Sequence, residues 1–415
     1  MAPVLTRVPK EESYSHSIFT FTQEFFALEQ VWGCRLCTPF LRLMSALLRQ
    51  IMALLEERYP RAWAATEDRV GLQVGDPEAR VAGVLVALEA SLEVVAEARE
   101  LKAGLLLTHH PLLYRPVSAI REDEPLGRIC AAALRANLAV AACHTNLDVA
   151  PGGLNDFLAE RLGLEDVAVF AENRREPAYK ITVFVPVGYE ERVGAALADA
   201  GAGVIGRYAH CTFAARGQGT YRPLPGASPF RGEVGELFRA EESRLEALVP
   251  ENCLDTALMR LKAAHPYEEV ALDIYPLARA GRVLGYGRVG RWAKELTFES
   301  ALARIKEAFG VPWVRLWGQP PAAVDRVAVL GGSGGEFIDA ARREKAQLFV
   351  TGEVRHHQVS PGDLANFAVM EVGHFASEAV FMPAWAQQLQ QIFTSRGLNL
   401  AVAASQREKP PFVFG

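Results

Sequence analysis

Positive charge is not in excess here: 44 lysines and arginines stand against 49 aspartates and glutamates, a formal net charge of −5. Nucleic-acid binders usually carry a basic face, so the composition gives such a partner no footing. Cysteine is scarce, six in 415 residues. That is too few for a disulfide framework in a chain of this length and suits a reducing cytoplasm. Long apolar runs are missing as well. The most apolar N-terminal stretch, 40–55, is broken by Arg42 and Arg49 and lies too deep for a secretory signal. No membrane partner is expected.

What remains is an ordinary globular mixture, half hydrophobic and 22% charged. At about 150 residues per domain the length predicts two to three domains. Residues 1–42 form an aromatic-rich, unpatterned extension holding Cys34 and Cys37. A lone CxxC lacks the second pair that a structural zinc requires. Met44, just ahead of the first helix, reads as an alternative start. Leu43, Leu47, Leu48, Ile51, Leu54 and Leu55 recur at helical spacing, and Pro60 ends that helix.

From Arg80 onward apolar strands alternate with helices, with strands at 81–88, 104–108 and 138–143 and helices at 92–101, 126–135 and 154–162. The pattern resumes after Leu284, with strands at 327–330, 347–351 and 367–372. This predicts an α/β protein with a doubly wound, mostly parallel sheet. Between the halves the order becomes strand–helix–strands–helix–strand, which predicts a ferredoxin-like α+β insert. The expected divisions are 1–42, 43–176 for the first half of the core, 177–280 for the insert and 281–415 for the second half. Residues 174–177 and 278–282 read as linkers.

In doubly wound sheets functional groups gather past the carboxyl ends of strands. Here those ends carry His109-His110, His144 with Asp148, Glu353 with His356-His357, and His374 with Glu378. Six of the nine histidines sit at these four points. A single His-His pair or an i, i+4 His–Glu pair is ordinarily a surface feature. Four strand ends carrying imidazoles and carboxylates at one sheet edge are hard to explain by packing. Such donors suit Zn, Mn, Fe or Ni. Adjacent histidines on an extended segment diverge, so His109 and His110 would serve two ions, with Glu378 or Asp148 as the bridging carboxylate. The turn at Gly331–Gly335 could cradle a phosphate or simply join a strand to a helix.

Six segments in this order are distinctive: Gly71-Leu72-Gln73-Val74-Gly75-Asp76, Thr108-His109-His110-Pro111, His144-Thr145-Asn146-Leu147-Asp148, Gly331-Gly332-Ser333-Gly334, Thr351-Gly352-Glu353 and Gly373-His374-x-x-x-Glu378. Over about residues 43–415 they closely resemble the dinuclear metal-centre family of GTP cyclohydrolase 1 type 2 homologues, also called NGG-interacting-factor-like proteins. The resemblance implies two divalent ions per chain on His109, His110, Asp148, His374 and a shared Glu378. It assigns His144 and His357 supporting or proton-transfer roles. The segment His265-Pro266-Tyr267-Glu268-Glu269 makes the middle module resemble the PII-like, or divalent-cation-tolerance-like, insert of longer members. The resemblance also implies a homohexamer acting on a small nucleotide. One departure stands out: where the family reads Trp-Asp-Asn, this chain has Glu67-Asp68-Arg69. Three function classes follow, namely opening of the GTP purine ring by metal-activated water, metal-dependent phosphoester hydrolysis, and a metal-binding regulatory scaffold.

Overall fold

The computed structural model describes residues 45–412 except 280, 320, 360–363 and 365. The N-terminal extension, its CxxC pair and Met44 lie outside the described residues.

Strands that are apolar nearly throughout need cover on both faces. Gly83–Ala87, Leu105–Thr108 and Ala139–Ala142 are buried along their whole length. They lie in a five-stranded sheet ordered Ala401–Ala404, Gly83–Ala87, Leu105–Thr108, Ala139–Ala142, Gly71–Val74. The first four run parallel and the last is antiparallel. Strand alternation divides the side chains. Leu85, Leu106 and Val140 pack under the helices Leu92–Glu100 and Pro125–Arg135, whereas Val84, Leu105 and Leu107 enter the main core.

A second sheet has six strands, ordered Arg315–Gly318, Ala368–Glu371, Leu348–Glu353, Ala323–Ser333, Val283–Thr297, Glu165–Arg175. Its three parallel strands are flanked by antiparallel ones. Val327, Val350 and Met370 face the same main core as Val84 and Leu107. The helices Leu48–Arg58, Leu154–Arg161, Phe298–Phe309 and Met382–Ser395 fill the space with them.

The expected single doubly wound sheet is thus corrected to two mixed sheets. Each half lends a strand to the other's sheet. Glu165–Arg175 joins the second, and Ala401–Ala404 returns to pair with Gly83–Ala87. The first of these is charged and largely exposed, so hydrophobic patterning does not announce it. Among the described residues no helix is long and apolar enough to cross a membrane.

The middle module has its own antiparallel sheet, ordered Leu272–Pro276, Ala178–Pro186, Phe238–Pro250, Thr212–Tyr221. With helices Glu190–Asp199 and Glu251–Ala264, the chain order is strand–helix–strand–strand–helix–strand, the ferredoxin-like order. Ile181, Val183, Leu245 and Val249 close on Val193, Leu197 and Leu261 as a separate core. The segments expected as linkers are paired instead. Arg175 lies opposite Val283, the Glu176 amide donates to the Arg282 carbonyl, and the Arg282 guanidinium meets the Glu176 carboxylate at 2.8 Å.

Candidate metal centre

The two sheets place their strand ends against one another. His109 and His110 follow Leu105–Thr108, and His144 follows Ala139–Ala142 and precedes the short helix Thr145–Val149 that carries Asp148. From the second sheet, Gly373 stands at a positive φ of 97° and starts the helix His374–Ala379 directly after its strand, bringing His374 and Glu378 into play.

Each imidazole is held by one nitrogen. His109 Nδ1 donates to the Cys143 carbonyl at 3.0 Å. Carboxylates hold the other three: Glu89 on His110 Nδ1 at 3.0 Å, Asp68 on His144 Nδ1 at 2.9 Å and Glu353 on His374 Nδ1 at 3.0 Å. Such partners orient a ligating histidine and raise its basicity. The second nitrogens converge. His110 Nε2 and His374 Nε2 lie 2.9 and 3.2 Å from Glu378 Oε2. On the other side, His109 Nε2 is 3.7 Å from Glu378 Oε1 and 3.6 Å from Asp148 Oδ1. His109, His110 and His144 form one group of donors within 4.8 Å of one another, and His110, His374 and Glu378 form a second.

This donor set fits a metal. His109 Nε2 and Asp148 Oδ1 are buried and receive no hydrogen bond among the described residues. Donors around one tetrahedral ion at 2.0–2.2 Å stand about 3.4 Å apart, close to the spacing around His109. Charge points the same way. Burial opposes ionisation of Glu378, yet the surrounding imidazoles of His109, His110 and His374 hold its carboxyl well below the usual range. Burial also opposes charge on His110, but Glu378 and Glu89 outweigh it and lift that imidazole to about 10. Glu378 likewise lifts His374 to about 9 against burial. Desolvation raises Asp148. The cluster attracts positive charge, as protons or as cations.

Clearance around Glu378 depends on the glycine turn. Gly332 has φ +69°, and a Cβ there would stand 2.3 Å from Glu378 Oε1. The phosphate cradle expected as one use of this turn is not favoured, because three of its five amides are engaged. Gly331 donates to Asn155 Oδ1, Gly332 to Ser377 Oγ and Gly334 to the Glu353 carbonyl. Asn155 also donates to the Asp148 carbonyl at 3.0 Å, tying the two halves together beside the site.

Of the residues read from the sequence, His109, His110, His144, Asp148, His374 and Glu378 come together. His357 does not: it is exposed on the turn His356–Gln358 and belongs to neither donor group. Three orienting carboxylates were missed. Glu353 stands at a strand end, and only its contact with His374 assigns it a role. Glu89 follows the end of Gly83–Ala87 and obeys the same positional rule. Asp68 lies in the segment that departs from the family pattern. Burial acts to raise Asp68, but His144 and Thr145 hold it below the ordinary range.

The family model described as Duf34/NIF3 (NGG1p interacting factor 3) matches residues 46–411. A Bacillus subtilis protein named GTP cyclohydrolase 1 type 2 homolog is 38% identical over 366 residues, covering 88% of this chain and 98% of that one. A Mycobacterium leprae protein of the same name is 35% identical over 382 residues, 90% of this chain and 96% of its own. The crystal structure of a Bacillus cereus protein related to NIF3 matches with TM-score 0.80 at 38% identity, over 89% of this chain and 99% of that chain. Staphylococcus aureus protein SA1388 matches with TM-score 0.68 at 27% identity, over 89% and 99%. The chain belongs to the Duf34/NIF3 family.

Proposed function

We propose that this chain is a hydrolase that holds two divalent ions and acts on a small nucleotide. The observation that carries the proposal is the placement of Glu378, with one carboxylate oxygen toward His109, which also faces Asp148, and the other toward His110 and His374. A carboxylate so placed can be shared by two ions. Bound divalent ions supply Lewis acidity and activate water at neutral pH. Nitrogen and oxygen donors accommodate Zn, Mn, Fe or Ni.

The chain's own contribution is orientation and proton handling. Cys143, Glu89 and Glu353 fix the ring planes of His109, His110 and His374. His144 is the proton-transfer residue in this reading, and His357 drops out of it. Asp68 anchors His144 Nδ1 and leaves Nε2 to give or take a proton beside the cluster. Such a group contributes about 10²–10⁴-fold to rate. A nucleotide is proposed because relatives bear the name GTP cyclohydrolase 1 type 2 homolog. A homohexamer in the cytoplasm and a PII-like character for the insert complete the proposal, and sedimentation velocity tests the assembly.

Elemental analysis of the purified protein, joined to mass spectrometry of products from a nucleotide panel, tests this reading. Two ions per chain with formate released from GTP is the expected result. Phosphate release with an intact base would move the chemistry to phosphoester hydrolysis. Full metal occupancy without turnover of any nucleotide would overturn the enzymatic reading in favour of a metal-binding scaffold.

A further inference from the structure

The insert contains a cavity of about 590 Å³, away from every metal-centre residue. It opens on the sheet face opposite the insert's helical core, since Phe184 alternates with the core residues Val183 and Val185, and Glu242 lies on the same outer face. Glu242 is only 8% exposed. Tyr267 Oη donates to its Oε1 at 2.9 Å, and among the described residues no cationic side chain pairs with it. Space for the carboxylate is built in on the neighbouring strand, where a Cβ on Gly219 would stand 2.0 Å from Glu242 Oε2.

A buried carboxylate without a cation is costly. Its surroundings are aromatic. The Tyr267 ring lies 5.9 Å from that of Tyr221 and 6.0 Å from that of Phe230. Phe230 and Leu224 remain 40% and 69% exposed at the cavity. Aromatic faces next to a desolvated anion attract an organic cation by two routes at once, ion pairing and the ring quadrupole. Glu268 and Glu269 also line the cavity, against one cation, Arg222. Anions are therefore disfavoured. A metal ion is poorly served as well, because His265 has both nitrogens taken. Its Nε2 donates to the Phe184 carbonyl at 3.0 Å, and its Nδ1 accepts from the Tyr267 amide at 3.1 Å.

We propose that the insert holds a second ligand site, for an organic cation made of an ammonium or guanidinium group on an apolar or aromatic stem. Glu242 pairs with the charged head, and Tyr221, Phe230 and Tyr267 take the stem. The segment His265-Pro266-Tyr267-Glu268-Glu269 builds one side of this cavity, with His265 fixing the backbone from which Tyr267 projects.

The test is isothermal titration calorimetry of the full-length, metal-replete protein with tryptamine and with its neutral isostere tryptophol. Tryptamine should bind about tenfold more tightly or better, the effect of about 1.4 kcal/mol from one charge-assisted contact. Glu242→Gln keeps an acceptor for Tyr267 and should remove that preference without changing metal content. Ala227→Trp, which fills the cavity from its wall, should abolish binding of both probes while the far-ultraviolet circular dichroism stays unchanged. Equal affinities for the two probes would overturn the proposal. So would failure of tryptamine to bind, or a preference that survives Glu242→Gln. An additional zinc equivalent lost in Glu242→Gln would overturn it in favour of a metal site.

Discussion

Two buried histidines in this molecule show what separates a ligand from a structural residue. His109 is wholly buried in the core, and His265 is 7% exposed in the insert. Each gives one ring proton to a backbone carbonyl. They differ in the other nitrogen. His265 Nδ1 accepts from the Tyr267 amide, so its hydrogen-bonding capacity is complete. Among the described residues His109 Nε2 receives no hydrogen bond, and it faces two carboxylate oxygens beyond hydrogen-bonding distance. Burial alone therefore says little. A buried imidazole with an orphaned nitrogen and acidic neighbours is arranged for a cation, whereas a doubly satisfied one holds a loop.

The most severe way to break this comparison is to remove the carboxylate that both sides of the centre share. Glu378→Ala should lose both ions, a fall from two equivalents to none by elemental analysis, and turnover should vanish with them. A variant that still carries two tightly held ions would sink the shared-ligand assignment. His109→Ala is the milder version. It removes one donor from the side built by Asp148 and leaves His110 and His374 in place, so one equivalent should remain. Loss of both ions would mean that the two sides do not fill independently.

The carboxylates behind the imidazoles sharpen the comparison further. Glu89→Gln keeps an acceptor near His110 Nδ1 but removes the negative charge that raises the basicity of the ring. Metal affinity should fall about 10–100-fold, the usual effect of losing such a partner. Competition with a chromophoric chelator reads it out, and an unchanged affinity would show that His110 is oriented by other contacts.

How much of this was legible in the sequence follows from what each residue's position depends on. His109, His110, His144, Asp148, His374 and Glu378 follow short apolar strands, so knowing the strands locates them at one edge. Glu89 obeys the same rule, but no histidine marks the end of its strand. Asp68 could not be read that way. It lies in an irregular stretch, and its meeting with His144 is a tertiary contact between residues 76 apart. His357 is the converse case, a residue expected at the site that lies on an exposed turn outside both donor groups. It follows the strand that ends at Glu353 and matches a recurrent family position, but neither encodes the direction in which an exposed turn projects. The division into two sheets was hidden for a further reason. The strands exchanged between halves, Glu165–Arg175 and Ala401–Ala404, are respectively mostly exposed and half exposed, so burial patterning marks neither as core.

The smallest expected effect concerns His265 and is read through pH. Burial lowers its pKa, with the Phe184 carbonyl and the charge of Glu242 opposing. In the unfolded chain the imidazole takes up a proton near pH 6.5, whereas the folded insert resists protonation, because Nδ1 is committed as an acceptor. Between the depressed folded value and about 6.5 the unfolded state therefore binds more protons, and stability rises with pH through that window. Above it the contribution of His265 is fully present, and it is progressively lost as the pH falls. Amide hydrogen exchange of the strand Ala178–Pro186 in the full-length protein at pH 7.5 and pH 5.5 can follow this, after correction for intrinsic exchange rates. The insert should open more readily at the lower pH. His265→Gln should be less stable at pH 7.5, by about 1–3 kcal/mol for buried backbone groups left imperfectly paired, and should lose part of the pH dependence while retaining both ions. If the variant and the wild type showed the same pH dependence, other groups would govern it. If the variant lost metal, the contrast between a structural and a ligating histidine would fail at its structural end.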